Sequence, residues 1–97
     1  MPRVVISGAQ RSHLSTAEAQ TWLRAESARL TSVPGIEAIV LTRAQGACAW
    51  LCELHLADGA DGHSCAEHPV CTEWLMDLRL LGMRPALAVL GNSEQVA

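Results

Sequence analysis

Strand-like and helix-like segments follow one another along this chain in an order that few folds can accommodate. β-branched and apolar residues indicate strands at residues 3–8, 36–43, 47–57 and 83–90. Between them lie two amphipathic segments whose apolar residues recur every three or four positions, which predicts helices running from about Ser15 to Pro34 and from Pro69 to Gly82. The resulting order is β-α-β-β-α-β.

Local signals at the ends of these segments support that order. The sequence Ser15-Thr16-Ala17-Glu18 predicts a capping box at the start of the first helix, and Pro34-Gly35 ends that helix. Gly46 predicts a hairpin between the second and third strands, and the two Asp-Gly pairs at 58–62 predict a loop. We therefore expect an α+β, ferredoxin-like fold, in which right-handed crossovers place two helices on one face of a four-stranded antiparallel sheet. Pro85 would then lie in an edge strand, where proline is tolerated.

Composition and charge limit both the domain count and the partners. A chain of 97 residues with 49% hydrophobic content predicts a single domain over residues 1–91, followed by a polar tail at 92–97. The net charge is −3 and the seven basic residues are arginines scattered along the chain, so nucleic acid is not an expected partner. No apolar run approaches the roughly 20 residues that cross a bilayer, and no secretory signal is visible. We expect reduced cysteines, a cytoplasmic location and no membrane partner.

The predicted strands carry apolar residues on both faces, which is unusual for a sheet that exposes one face to water. One face of the third strand is formed by Cys48, Trp50, Cys52, Leu54 and Leu56. The opposite face begins with Ala47, Ala49 and Leu51 and continues with Glu53 and His55. A monomer would then expose a larger apolar patch than monomers usually carry. The sequence predicts a homodimer packed sheet to sheet; a monomer whose outer face carries small residues is the alternative.

The element order, the length and one local segment resemble the dimeric α/β-barrel superfamily. The segment is Leu30-Thr31-Ser32-Val33-Pro34-Gly35-Ile36, which leads from the first helix into the second strand. The superfamily includes antibiotic-biosynthesis monooxygenase-like, stress-responsive barrel and polyketide-cyclase-like proteins. The resemblance implies two sheets that form a barrel across a homodimer, with a pocket between the helices and the sheet of each subunit. Haem-degrading members use an Asn, a Trp and a His; here Trp50 and His68 match the last two, and Ser7 stands at the Asn position.

An acid–base pair is the first candidate for chemistry. Glu53 and His55 share one strand face, where a carboxylate and an imidazole can move protons near neutral pH. If that face lines a pocket, His55 and Glu53 are the predicted catalytic residues. Arg11 and His13, in the loop after the first strand, would rim the same opening. The alternatives are a solvated or dimer-facing pair and a plain surface loop.

The cysteines and histidines give a second set of candidates. His63, Cys65, His68 and Cys71 are zinc-ligand types, but without a Cys-x-x-Cys pair we expect no metal site. His68 and Cys71 lie three residues apart at a predicted helix start, where a thiolate with a basic neighbour could be reactive. The alternative places Cys71 in the core as an inert thiol and His68 as a helix cap. The predicted pocket residues are Trp50, Ser7, Arg11, His13, His68 and Cys71.

Three functions follow from these features. The resemblance implies a cofactor-independent monooxygenase or cyclase that acts on a small aromatic or polyketide-like compound, with no cofactor. The second is a non-catalytic module for ligand binding or assembly. The third is haem binding through His68.

Overall fold

The predicted order of strands and long helices is confirmed, with one additional short helix before the last long one, in a computed structural model that describes residues 2–9, 16–43, 50–91 and 96. The strand β2 has the bounds that the sequence predicted. The elements are β1 (Arg3–Ala9), α1 (Thr16–Ser27) with a 3-10 turn (Ala28–Ser32), β2 (Ile36–Arg43), β3 (Trp50–Leu56), α2 (Gly62–Glu67), α3 (Pro69–Leu80) and β4 (Arg84–Leu90).

The four described strands form one antiparallel sheet in the order β2-β3-β1-β4. Val4 on β1 is paired with Leu54 on β3 and with Val89 on β4, and Leu54 is paired with Ile39 on β2. Side chains alternate between the faces of a strand, so these four residues form one row on the face that meets the helices. We call this face the inner face and the opposite one the outer face. Pro85 lies in β4 at the sheet edge, as expected.

The hydrophobic core lies between the inner face and the helices. Val4, Ile6 and Leu54 are fully buried there. Trp74 on α3 is also fully buried, and its ring centroid lies 6.3 Å from that of Trp22 on α1. Burying an aliphatic side chain such as that of Val4, Ile6 or Leu54 contributes about 1.5–3 kcal/mol. The contact between α1 and α3 therefore fixes the helical layer over the sheet.

The helix α2 corrects the predicted loop, because the second Asp-Gly pair starts a helix instead of continuing a turn. Asp61 caps α2: one carboxylate oxygen accepts the His63 amide at 3.1 Å and the other accepts the Ser64 hydroxyl at 2.9 Å. These bonds, with the Ser64 bond the larger effect, lower the pKa of Asp61. The next residue, Gly62, packs so closely on Val89 that a Cβ there would lie 2.5 Å from a valine methyl.

Among the described residues, every helix is too short or too polar to cross a membrane. The predicted tail is described only at Val96, which is exposed. The predicted capping residue Ser15 lies outside the described residues.

Candidate functional site

The predicted acid–base pair lies on the outer face of the sheet, in contact with an arginine. Glu53 and His55 are two residues apart on β3, and Arg3 of β1 is paired with His55 in the register. One Glu53 oxygen lies 3.2 Å from a guanidinium nitrogen of Arg3 and 3.3 Å from Nε2 of His55. The three side chains are only 19–32% exposed. The guanidinium is hydrogen-bonded to the carboxylate, whereas Nε2 of His55 lies within ion-pair distance of it without hydrogen-bond geometry and has no hydrogen-bond partner among the described residues.

Apolar side chains surround this cluster. Val5 on β1 and Val40 on β2 are the register partners of Glu53, and Leu90 on β4 is paired with Arg3. Val40 is 41% exposed and Leu90 is 39% exposed. A charged cluster within an apolar sheet face is suited to catalysis only if a substrate reaches it, and it is equally suited to an interface.

An open cavity of about 420 Å³ lies along the first half of α1. Its described lining is Ala17, Glu18, Thr21 and Trp22, and we call it the helix-start cavity. Trp22 is half-buried against Trp74 and forms an aromatic wall, while Glu18 is exposed. Thr21 donates its hydroxyl to the Ala17 carbonyl at 3.0 Å. This volume lies within the range of small-molecule sites, which are mostly apolar with a few polar groups.

A second cavity, of about 260 Å³, lies between α1 and the edge strand β2. Its described lining is Arg24, Ser27, Ala28, Ile39 and Leu41, and we call it the edge cavity. Glu53 and His55 line neither cavity. The resemblance implied a pocket between the helices and the sheet, but the described residues that were predicted to line it, Trp50, Ser7, His68 and Cys71, line neither cavity. The neighbouring small residues Ser27 and Ala28 are the sequence signal for the edge cavity.

The structure does not bring the predicted haem residues together. Trp50 is buried on the inner face, with its indole ring over Gly8, where a Cβ would lie 2.3 Å from a ring carbon. Ser7 follows the opposite alternation and points to the outer face. His68 caps α3, because its Nδ1 accepts the Val70 amide at 3.2 Å. These residues do not fit one haem site, and we derive no haem chemistry from them.

The described cysteines are buried and unpaired. Burial raises the pKa of Cys71 and of Cys65. Desolvation, followed by the neighbouring Cys71 thiol, raises the pKa of Cys52 to about 12. A thiol with a raised pKa is a poor nucleophile, so the geometry favours Cys71 as a core residue. Within the described part of the chain, no three His, Cys, Asp or Glu side chains form a group that could bind a metal.

The predicted rim residues Arg11 and His13, and Cys48, lie outside the described residues. Further residues singled out in the sequence also lie outside them, among them Gly46 of the predicted hairpin and Ala47 and Ala49 of the predicted third strand.

Comparison with known proteins shows similarity of structure only. No family model and no curated protein matches this chain. A point mutant of SnoaB, a cofactor-independent oxygenase from Streptomyces nogalater, is 14% identical with a TM-score of 0.70 over 98% of this chain and 95% of that one. A Deinococcus radiodurans protein whose assigned activity is antibiotic biosynthesis monooxygenase is 14% identical, with a TM-score of 0.72 over 100% of this chain and 97% of the other.

A third similar structure has a ferredoxin-like fold. A DABB family protein from Mesorhizobium loti, with a ferredoxin-like fold, is 12% identical, with a TM-score of 0.66 over 97% of this chain and 100% of that one. The predicted α+β class and the predicted ferredoxin-like fold are confirmed. This chain has the ferredoxin-like fold that these proteins share.

Proposed function

We propose that this protein binds a small aromatic or polyketide-like compound in the helix-start cavity and oxygenates or cyclises it without a cofactor. The observation that carries the proposal is the cavity of about 420 Å³ beside the indole of Trp22, on a fold shared with a cofactor-independent oxygenase. Aromatic rings stack favourably on an indole, with a gain of about 0.5–1.5 kcal/mol beyond their buried area. This wall therefore favours a flat, conjugated ligand.

The proposed chemistry needs one base and an apolar wall. Glu18 is the exposed carboxylate of the cavity lining, in the first turn of α1. It would accept a proton from an acidic C–H or O–H of the substrate, leaving a delocalised anion against Trp22. In an oxygenation, that anion reduces O2: a CH2 group becomes a carbonyl with one oxygen atom, and the second oxygen leaves as water. The substrate supplies all the electrons, so no cofactor is required.

A pair of threonine substitutions tests the site. Thr21→Trp fills the cavity, and Thr72→Trp is its matched control, because both threonines are exposed on helices and bond a carbonyl in the preceding turn. We expect 1-naphthol to shift the amide resonances of residues 17–22 in the parent protein and in Thr72→Trp, but not in Thr21→Trp. An unchanged response of Thr21→Trp would contradict the proposed site.

Oxygen uptake tests the chemistry separately. With an anthrone as substrate, Glu18→Gln should retain binding but lose at least about tenfold in rate, because a general base contributes roughly 10²–10⁴-fold. Oxygen uptake that Glu18→Gln leaves unchanged would remove Glu18 as the base. The acid–base role of Glu53 and His55 stays a prediction that requires a substrate to reach the outer face.

A second candidate, a non-catalytic assembly module, is favoured by the position of the charged cluster. Arg3, Glu53 and His55 lie among apolar residues on the outer face, outside both cavities. We propose that a second copy of this chain covers that face. The cluster contains both basic and acidic side chains, so the cluster of one copy can pair with the same cluster of a second copy across a twofold axis. Ligand binding without any turnover, in a stable dimer, would favour this module over the enzyme.

A further inference from the structure

The charged cluster of Arg3, Glu53 and His55 lies on β1 and β3, the two central strands of the sheet. Its side chains are 19–32% exposed, so they are partly desolvated before any partner binds. Strand pairing and alternation place uncharged residues around the cluster on the outer face. These residues are Val5, Ser7, Ala38, Val40, Thr42, Leu51, Ala86, Ala88 and Leu90. Because the cluster is central, a second copy that covers the outer face covers the cluster as well.

The imidazole of His55 sets the net charge of this cluster. Histidine gains a proton between about pH 8 and pH 5, whereas a guanidinium stays charged throughout and carboxylates ordinarily stay charged down to about pH 5. Arg3 and Glu53 balance each other through a hydrogen bond of 3.2 Å. Nε2 of His55 lies 3.3 Å from the same Glu53 oxygen, but one carboxylate cannot neutralise two cations. The cluster is therefore neutral with a neutral imidazole and carries one net positive charge with a protonated one.

The other described charges near this face are exposed to water. Glu37 lies in the bulge of the edge strand β2, next to the register partner of His55. Asp58 follows β3 in an exposed turn, and Arg84 is exposed at the far end of β4, about 20 Å along the sheet. The helices lie on the opposite side of the sheet. Water screens such exposed charges, so the cluster keeps its net charge when His55 is protonated.

We propose that protonation of His55 drives the second copy from the outer face, so that the dimer dissociates as the pH falls. This inference rests on the proposed covering of that face by a second copy. Covering a positive cluster either brings it against the same cluster of the partner, where like charges repel, or removes its water against apolar side chains. The neutral cluster pays neither cost. The separated chains therefore bind the proton more tightly than the dimer does, and by linkage acid favours separation.

The charge of the whole chain acts in the opposite direction. The net charge is −3 at pH 7 with neutral histidines, and the isoelectric point is about 5.7. Lowering the pH from about 8 toward the isoelectric point removes net charge, so the general repulsion between two copies falls. Whole-chain charge alone therefore predicts tighter association in acid. Dissociation over the same range identifies the local cluster as its cause.

Sedimentation equilibrium at about pH 8 and about pH 5.8, at one ionic strength, tests the proposal. His55→Gln removes the titrating group, and His63→Gln is the matched control, because His63 is an exposed histidine on α2 in the helical layer. We expect the dissociation constant to rise at least about tenfold on acidification in the parent protein and in His63→Gln. In His55→Gln it should change by less than about threefold. Far-UV circular dichroism at both pH values establishes that the separated chains are folded.

Glu53→Gln gives a second test of the same charge balance. It removes the carboxylate that pairs with Arg3, so the cluster is positive at every pH. Its dimer should be weaker than the parent dimer by at least about tenfold at pH 8. An equally tight dimer would overturn the proposal.

The remaining outcomes separate the pH dependence from the dimer itself. A parent dimer that holds or tightens as the pH falls overturns the proposal and leaves the dimer in place. An equal rise of the dissociation constant in His55→Gln overturns it as well, because another group is then responsible. A parent protein that is monomeric already at pH 8 removes the covering copy and, with it, the pH dependence; the helix-start cavity is unaffected by that result.

Discussion

Replacing Gly8 by Ala tests how tightly Trp50 is packed on the inner face. The two residues are paired between β1 and β3. A Cβ built at position 8 would lie 2.3 Å from Cζ2 and 2.4 Å from Cε2 of the Trp50 ring. Carbon atoms attract one another best at about 3.5–4.0 Å, so the ring or β1 has to move by more than about 1 Å. Overpacking of a core costs about 1–3 kcal/mol, which outweighs the roughly 0.5–1 kcal/mol that Ala gains over Gly inside a strand.

Urea unfolding followed by tryptophan fluorescence measures this cost. Gly91→Ala is the matched control, because a Cβ at Gly91 meets no atom within 4 Å. We expect Gly8→Ala to lower the free energy of unfolding by about 1–2 kcal/mol and Gly91→Ala to leave it within about 0.5 kcal/mol. In a Trp50→Leu background the cost of Gly8→Ala should shrink, since the smaller side chain leaves room. An equal cost in both backgrounds, or none in either, would refute the packing of Trp50 over Gly8.

Two further predictions concern buried and capping groups. Burial raises the pKa of Cys52 from 9.0 to about 12. Between these two pH values the folded state keeps the thiol proton that the unfolded state has lost. The stability that this thiol contributes is therefore fully present below pH 9 and is lost as the pH rises toward about 12. At its upper bound this loss is on the order of 4 kcal/mol, and a Cys52→Ala variant should show a flatter alkaline unfolding profile. His68→Ala should destabilise the protein by about 0.5–2 kcal/mol, because it removes the hydrogen bond by which His68 caps α3 at the Val70 amide. His68→Asn should restore most of this stability. An unchanged melting temperature in His68→Ala would contradict the cap. When haem is added, we expect no absorbance band that is lost in His68→Ala.

The predicted topology was correct because its signals are local and strong. Pro34-Gly35 ends the first helical segment and Ile36 begins β2, as the sequence indicates. The alternation along β3 also placed Trp50 and Glu53 on opposite faces, since side-chain period in a strand leaves no other choice. The same alternation correctly placed Glu53 and His55 together on one face.

Prediction from the sequence was wrong or incomplete where a residue can either form a turn or cap a helix, and where segments distant in the chain come into contact. Asp61 precedes a glycine, which is typical of a turn, but its carboxylate caps α2 instead. The contact of Arg3 with Glu53 depends on the β1–β3 register, which joins residues fifty positions apart in the chain. The edge cavity depends on how far α1 reaches over Ile39, which no sequence pattern reports.

Burial of the outer face against a second copy is tested most directly by sedimentation equilibrium at about 10 μM protein. A dimer should have twice the 10.4 kDa mass of the chain. Val40→Arg places a charge on the outer face and should yield monomer, whereas Leu80→Arg, on the exposed surface of α3, should not. A folded parent protein of 10.4 kDa at that concentration would contradict the dimer, and equal dissociation by both variants would contradict the outer face as its interface.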